Sequence, residues 1–338
     1  MEVKHDTPFE SSLDAILDKD GSEARVAVMK ATYDLLDDGS LRISEKQDPV
    51  YPQDTYLGQP TTSSVTYESD GAFFKPGTDC VIVGSVFSPT GKAVPRLDVG
   101  IQVASSRYEV AVIGDRVWNY GAFGVGMSSP KPFTEMPICW ERSFGGIDAL
   151  DADPQKHAWE PRNPIGAGFR ITKSREALDG LPLPNFENPR SLIRSWDDKP
   201  SPHGLGYVGR SWMPRIRFAG TFDDRWQRQR MPILPVDFDY RFFNAAPQEL
   251  VLPKHLEGGE AVRLVNLTKH GLDGFAIPKM RVVFKGYARR RRFALPARLD
   301  TLQVKTIERQ IVMVWRTKYA VLLNEPADGV SADIEYFD

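Results

Sequence analysis

The chain has 338 residues, 41% hydrophobic and 26% charged, enough apolar content to bury a sizeable core and to exclude wholesale disorder. Its net charge of −2 gives no global pull toward nucleic acid or an anionic membrane. No apolar run approaches the roughly 20 residues of a membrane-spanning helix, and the opening MEVKHDTPFESSLDAILDKD lacks a signal peptide's basic and apolar regions, so a cytoplasmic protein is expected.

In the segment 1–21, Phe9, Leu13, Ile16 and Leu17 recur at helical spacing and predict one short helix. Met29, Ala31, Tyr33 and Leu35 then alternate with Lys30, Thr32 and Asp34. The stretch Asp37-Asp38-Gly39-Ser40 turns the chain into Leu41 and Ile43, a hairpin signal. CVIVGSVF reads as a buried strand; its Cys80, like Cys139 in MPICW, has the apolar setting of a buried free thiol. GSVFSPTGKA (84–93) lacks the spacing and the Ser/Thr of a phosphate loop and is a turn. Val99, Ile101 and Val103 form a strand, and YEVAVIGDRVW predicts a hairpin turning near Gly114-Asp115. GAFGVG (121–126) opens no helix, which removes a dinucleotide reading.

WERSFGG (140–146) combines an acid, a base, a hydroxyl and two glycines. Read as the end of the MPIC strand, it points Glu141 and Arg142 to opposite faces, and Ser143 has no neighbouring base to activate it. The expectation is structural: Trp140 anchors on the core and Gly145-Gly146 supplies a bend.

From Asp151 to Pro214 proline and glycine cluster among aromatics, an ordered connector and a place for a binding surface. DDRWQRQR predicts a short helix. Its alternating arginines could face single-stranded nucleic acid, but Asp223 and Asp224 and the near-neutral total argue against that. After residue 260 strands return in AVRLVNLT, MRVVFKG, DTLQV, RQIVMVWR and SADIEYF, with RRRR (289–292) at a hairpin tip.

Residues 95–101 (PRLDVGI) and 278–284 (PKMRVVF) echo each other, and each is followed by an apolar segment ending in Trp and Arg. The predicted architecture is mainly β. Two β-sandwich-like lobes of related plan (22–150 and 215–338) are joined by the Pro/Gly/aromatic-rich connector 151–214. The five histidines stand at no metal-ligand spacing, so neither a metal nor a cofactor is expected.

Several stretches together resemble a bacterial family catalogued as a domain of unknown function and encoded beside type VI secretion components. They are WERSFGG, NPIGAGF (163–169), LPLPNFENP (181–189), the long run from His203 to Pro247, and LEGGEAVRLVNLTKHG (256–271). The resemblance implies a non-enzymatic adaptor or chaperone of the bacterial cytoplasm. Such a protein binds a toxic effector protein and helps load it onto a VgrG/PAAR-type spike protein, without nucleic acid or membrane insertion. Trp140, Glu141, Arg142, Gly145, Gly146, Asn163, Gly166, Gly168, Phe169, Phe242, Phe243 and Asn244 match its motifs and are expected to keep the fold. Trp212, Arg215, Arg217, Trp226, Arg228 and Arg241 are the expected partner contacts, as aromatic anchors rimmed by arginine. The rival readings are a hydrolase-type effector using Glu141, Asp223, Asp237 and Asp239, the last two sharing strand parity, or a structural part of the secreted particle.

Overall fold

The computed structural model describes residues 3–322 and 329–337. With 41% strand and 8% helix the protein is mainly β, built from several sheets. In chain order the principal strands begin with β1 (Glu10–Leu17), β2 (Glu23–Leu35), β3 (Leu41–Ile43), β4 (Thr78–Val83), β5 (Arg96–Val103), β6 (Ser106–Ile113) and β7 (Phe186–Glu187). They continue with β8 (Val251–Leu252), β9 (Ala261–Val265), β10 (Leu272–Ala276), β11 (Met280–Ala288) and β12 (Arg291–Pro296). The last are β13 (Arg298–Lys305), β14 (Gln310–Ala320) and β15 (Ser331–Tyr336).

A large sheet runs β1-β2-β14-β13-β4-β8, with β3 also paired to β2. A second runs β7-β6-β5-β9-β10, and a third, β12-β11-β15. The two predicted lobes are therefore not separate. In the large sheet β2 pairs with β14 from Ala24↔Ala320 to Asp34↔Gln310, and β13 lies parallel to β4 from Thr301↔Asp79 to Lys305↔Val83. In the second sheet β9 pairs with β5. Periodicity shows where strands are but not which distant strand each one finds, and so it could not reveal this interleaving.

One core serves both large sheets. Ala27, Met29 and Tyr33 of β2, Met313 and Trp315 of β14 and Leu302 of β13 share a cluster with Val99 and Ile101 of β5, Val110 of β6 and Leu264 of β9. The opposite face of the large sheet carries Lys30, Lys305 and Arg316, positions that alternation would give to solvent. Instead the irregular segments around residues 47–76 and 203–247 cover it. Asp70 and Asp48 of the first supply counter-charges to the two lysines, whereas Arg316 pairs with Asp300 of β13 and Lys75 of the covering segment with Asp79 of β4. Lys30 Nζ lies 2.9 Å from Asp70, Lys305 Nζ 2.9 Å from Asp48, and Arg316 Nε 2.6 Å from Asp300. Lys75 Nζ lies 2.8 Å from Asp79, and Tyr207 donates to Gln303 at 3.2 Å. Burial pushes Asp54 and Asp18 upward, but Arg210 and the Ser69 amide on Asp54, and Lys318, the Tyr240 hydroxyl and the Lys19 amide on Asp18, together outweigh it and hold both carboxyls below the usual value.

Several local expectations change. The N-terminal segment is the strand β1, not a helix: only Leu13 of Leu13, Ile16 and Leu17 is fully buried, and β1 pairs with β2 from Glu10↔Lys30 to Leu17↔Glu23. YEVAVIGDRVW is not a hairpin. β6 turns back on β5 through Ala104, whereas Trp118–Gly121 pairs with Gly124–Met127. The echo between 95–101 and 278–284 has no structural counterpart, because β5 and β11 sit in different sheets with different neighbours. The Asp-Asp-Gly-Ser turn, the arginine tip between β11 and β12, and the helix α1 (Asp224–Gln229) are found where the sequence places them. Both cysteines are free, Cys80 fully buried and Cys139 partly so. No helix among the described residues is long and apolar enough to cross a membrane.

Candidate functional site

WERSFGG resolves into half of a clasp. Trp140–Arg142 forms a 3-10 turn, not a strand end, so Glu141 and Arg142 do not alternate across a sheet. Phe144–Gly145 then runs parallel to Ala167–Gly168 of NPIGAGF. The Asn163 amide donates to the Trp140 carbonyl at 2.8 Å and to the Phe144 carbonyl at 3.0 Å. The glycines are required: a β-carbon on Gly145 would overlap Asn163, and one on Gly146 the Gly166 carbonyl, both at positive φ. Gly166 and Gly168 are equally close to Asn163 and Pro184, and Phe169 packs edge-on to Phe144. Glu141 accepts from the Ser64 amide at 2.8 Å and from its hydroxyl, while Arg142 pairs with Asp115 at 3.0 Å. Ser143 is fully buried and its Oγ donates to the His203 carbonyl at 2.9 Å, which leaves it no route to a substrate.

Two expected partner contacts lie inside the fold. Trp212 is only 4% exposed and stands at 90° to Trp140, with ring centroids 5.9 Å apart. Arg215, also 4% exposed, donates to the Phe242 and Val208 carbonyls at 2.7 Å and pairs with Glu68. Both act as internal struts, not surface anchors. Sequence could not separate them from exposed neighbours because the segment is a 3-10 turn (Arg215–Phe218) among irregular chain, without periodicity to mark an inner face. Asn244 donates to Asp79 at 2.9 Å, and Phe243 packs with Phe238 and Phe242 in a small cluster, which fits their motif role.

The remainder of this run builds an exposed ridge from its own hydrogen bonds. Gly220 turns the chain at φ +78° close against Pro235. The Asp223 carboxylate caps α1 by accepting from the Trp226 amide at 2.8 Å. The Trp226 indole donates to the Ile233 carbonyl at 2.8 Å, and Thr221 donates twice to Asp237, at 3.0 and 2.8 Å. Arg230 donates to the Leu234 carbonyl at 2.5 Å and to the Lys19 carbonyl. With its backbone tied in this way, the loop holds Phe222 (54% exposed), Met231 (62%) and Val236 (75%) in solvent, with Ile216 nearby in the chain. Trp226 is half-buried with its ring edge on Phe222 at 4.7 Å, and Arg228 is exposed.

Beside the 3-10 turn opens a cleft of about 470 Å³, with apolar walls from Pro214, Phe218 and Val251 and with Arg217 and Arg241 in its lining. Arg241 pairs with Asp239 at 2.9 Å and lies over the Phe218 ring at 4.3 Å. The Arg217 guanidinium has no hydrogen bond or ion pair among the described residues. The carboxylates of the hydrolase reading do not share a strand. Asp239 caps the 3-10 turn Tyr240–Phe243, and Asp237 is held by Thr221, whose amide and hydroxyl keep its carboxyl low. Asp223 is the α1 cap and Glu141 serves Ser64.

The apolar part of the ridge was missed in the sequence. Its signal was the proline-punctuated MPILPV, where apolar residues sit outside any strand or helix pattern. The comparisons with curated proteins and with solved structures return no match. Residues 20–316 match the family described as an uncharacterized protein conserved in bacteria (DUF2169), and with most of its length inside that match the chain belongs to this family.

Proposed function

We propose that this protein is a non-enzymatic adaptor or chaperone that binds an effector protein and helps load it onto a VgrG/PAAR-type spike. The observation that carries a binding role is the ridge. Large apolar side chains stay in water on a loop whose backbone is already fixed, so a partner that covers them gains apolar burial without first ordering the loop. Arginines around them supply the polar rim of a protein contact. The type VI assignment is drawn from the resemblance of WERSFGG, NPIGAGF and the 203–247 run.

The test is co-expression with the products of neighbouring genes, capture through a tag and size exclusion of the eluate. Stable co-elution with one effector or spike protein, whose solubility depends on this chain, is the expected result. The pair Met231→Asp and Val236→Asp is expected to lower that co-elution at least tenfold while leaving the fold intact. A chain that elutes alone beside every neighbour sinks the proposal.

A further inference from the structure

We infer that the cleft beside the ridge is an acid-recognition pocket, which receives an Asp or Glu side chain of the polypeptide segment that covers the ridge. The inference rests on the ridge being a docking surface and adds the chemistry of its occupant. Three observations converge. Arg217 is exposed at the cleft with no counter-ion among the described residues. That contrasts with Arg215 two residues earlier, which is neutralised by Glu68, and with Arg241, which is paired with Asp239. Charge at the cleft is therefore left over on one residue.

The pocket is also the right kind of place for a carboxylate on a chain rather than for a small free anion. Its walls include Pro214, Phe218 and Val251, which suit the methylene stem of an acidic side chain or an apolar neighbour. A guanidinium at a partly apolar wall binds a carboxylate more strongly than one in open water. Finally, cleft and ridge are tied together: the Asp239 amide donates to the carbonyl of Phe218 in the cleft wall at 2.9 Å, and Gly220 packs against Pro235, next to the exposed Val236 of the ridge. A partner segment crossing both would combine apolar residues with one acid.

A random 12-residue peptide library displayed on phage, panned on the full chain, tests this without a known partner. Enriched peptides are expected to combine apolar residues with Asp or Glu. For a fluorescein-labelled synthetic copy, Arg217→Glu is expected to weaken binding at least about tenfold, and Arg217→Gln less. Replacing the peptide's acid by its amide should give a comparable loss, and the two changes together little more than either alone. Thermal unfolding of both variants checks the fold, which an exposed position should leave unchanged.

Enriched peptides without acids, or acidic peptides indifferent to Arg217→Glu, would overturn the pocket. If Met231→Asp with Val236→Asp still abolishes their binding, the ridge reading survives that result. A library that yields no binder overturns both. Tight binding of a labelled single-stranded oligonucleotide, lost in Arg217→Glu, would replace the peptide by nucleic acid and refute the inference.

Discussion

Gly146, at φ +95°, has the Gly166 carbonyl where a β-carbon would stand, so Gly146→Ala combines a left-handed backbone with an overlap. Strain of this kind costs about 1–3 kcal/mol before the overlap is added. A fall in stability of at least about 2 kcal/mol in urea unfolding is expected. Asn163 spends its amide on two buried carbonyls, and Asn163→Asp replaces that donor by a group that repels them. It should be at least as damaging as Asn163→Ala. His203 sets a pH dependence. Its Nε2–H donates to the Glu109 carbonyl at 2.8 Å, and its Nδ1 meets the Tyr108 hydroxyl at 3.1 Å. Burial pushes its pKa below the ordinary 6.5. The unfolded chain then takes up a proton near pH 6.5 that the folded chain still refuses. The stability involved is complete above that pH and is lost as pH falls toward the folded value. Unfolding midpoints between pH 8 and 5 should decline for the native chain, and His203→Gln should flatten that slope.

At the scale of elements, the ridge depends on bonds between neighbours in sequence. Asp223→Ala removes the cap of a six-residue helix, worth about 1 kcal/mol. Trp226→Phe removes the indole bond to Ile233. Neither change touches Met231 or Val236. If preorganisation matters, Trp226→Phe should weaken partner capture several-fold while the global unfolding midpoint shifts little, as titrated co-elution would show. Much of the secondary structure could be read directly. The long apolar runs of β2, β4 and β14 and the turn Asp37–Ser40 announce themselves, because both signals are local. β1 could not be read so: Phe9, Leu13 and Leu17 fall four apart, and only the pairing with β2 shows that the segment is extended. The clasp was half legible. Its glycines, Trp140 and Asn163 all read as structural, but that Asn163 joins Trp140 to Phe144 depends on a chain reversal that spacing does not encode. Of the surface candidates, Arg217 and Trp226 lie at the ridge and cleft. Trp212 and Arg215 show how residue type alone misleads where no periodicity marks the inside.

For the whole molecule, the covered charged face of the large sheet matters most. Lys30, Lys305 and Arg316 look like solvent positions in sequence, and only the long segments laid over them make them interior. Arg316→Met leaves Asp300 buried without its partner and strips the donors to the Asp70 and Ala72 carbonyls. A loss of about 3–5 kcal/mol is expected in urea unfolding. Arg316→Met with Asp300→Leu should recover part of it, because a neutral pair needs less solvation than a lone carboxylate. Acid acts on the same layer. Asp18 and Asp54 have lowered pKa values in the fold, so their stabilisation is present above the ordinary carboxyl range and disappears below about pH 4. A second, steeper fall in stability is expected there, beyond the one set by His203.

β14 lies between β2 and β13 in the large sheet, yet it comes almost last in the chain. On the ribosome β2 can meet β1 and β3 at once, but its other edge stays open until Ala320 has emerged. At about 5–20 residues per second that wait lasts on the order of 15–60 s. Throughout it an apolar strand edge is exposed on the nascent chain, a template for pairing with neighbouring polypeptides. Translation that stops before β14 should therefore leave an aggregating fragment, even though it already contains the clasp and the ridge. Neither half of this protein is expected to be recoverable in folded form without the other.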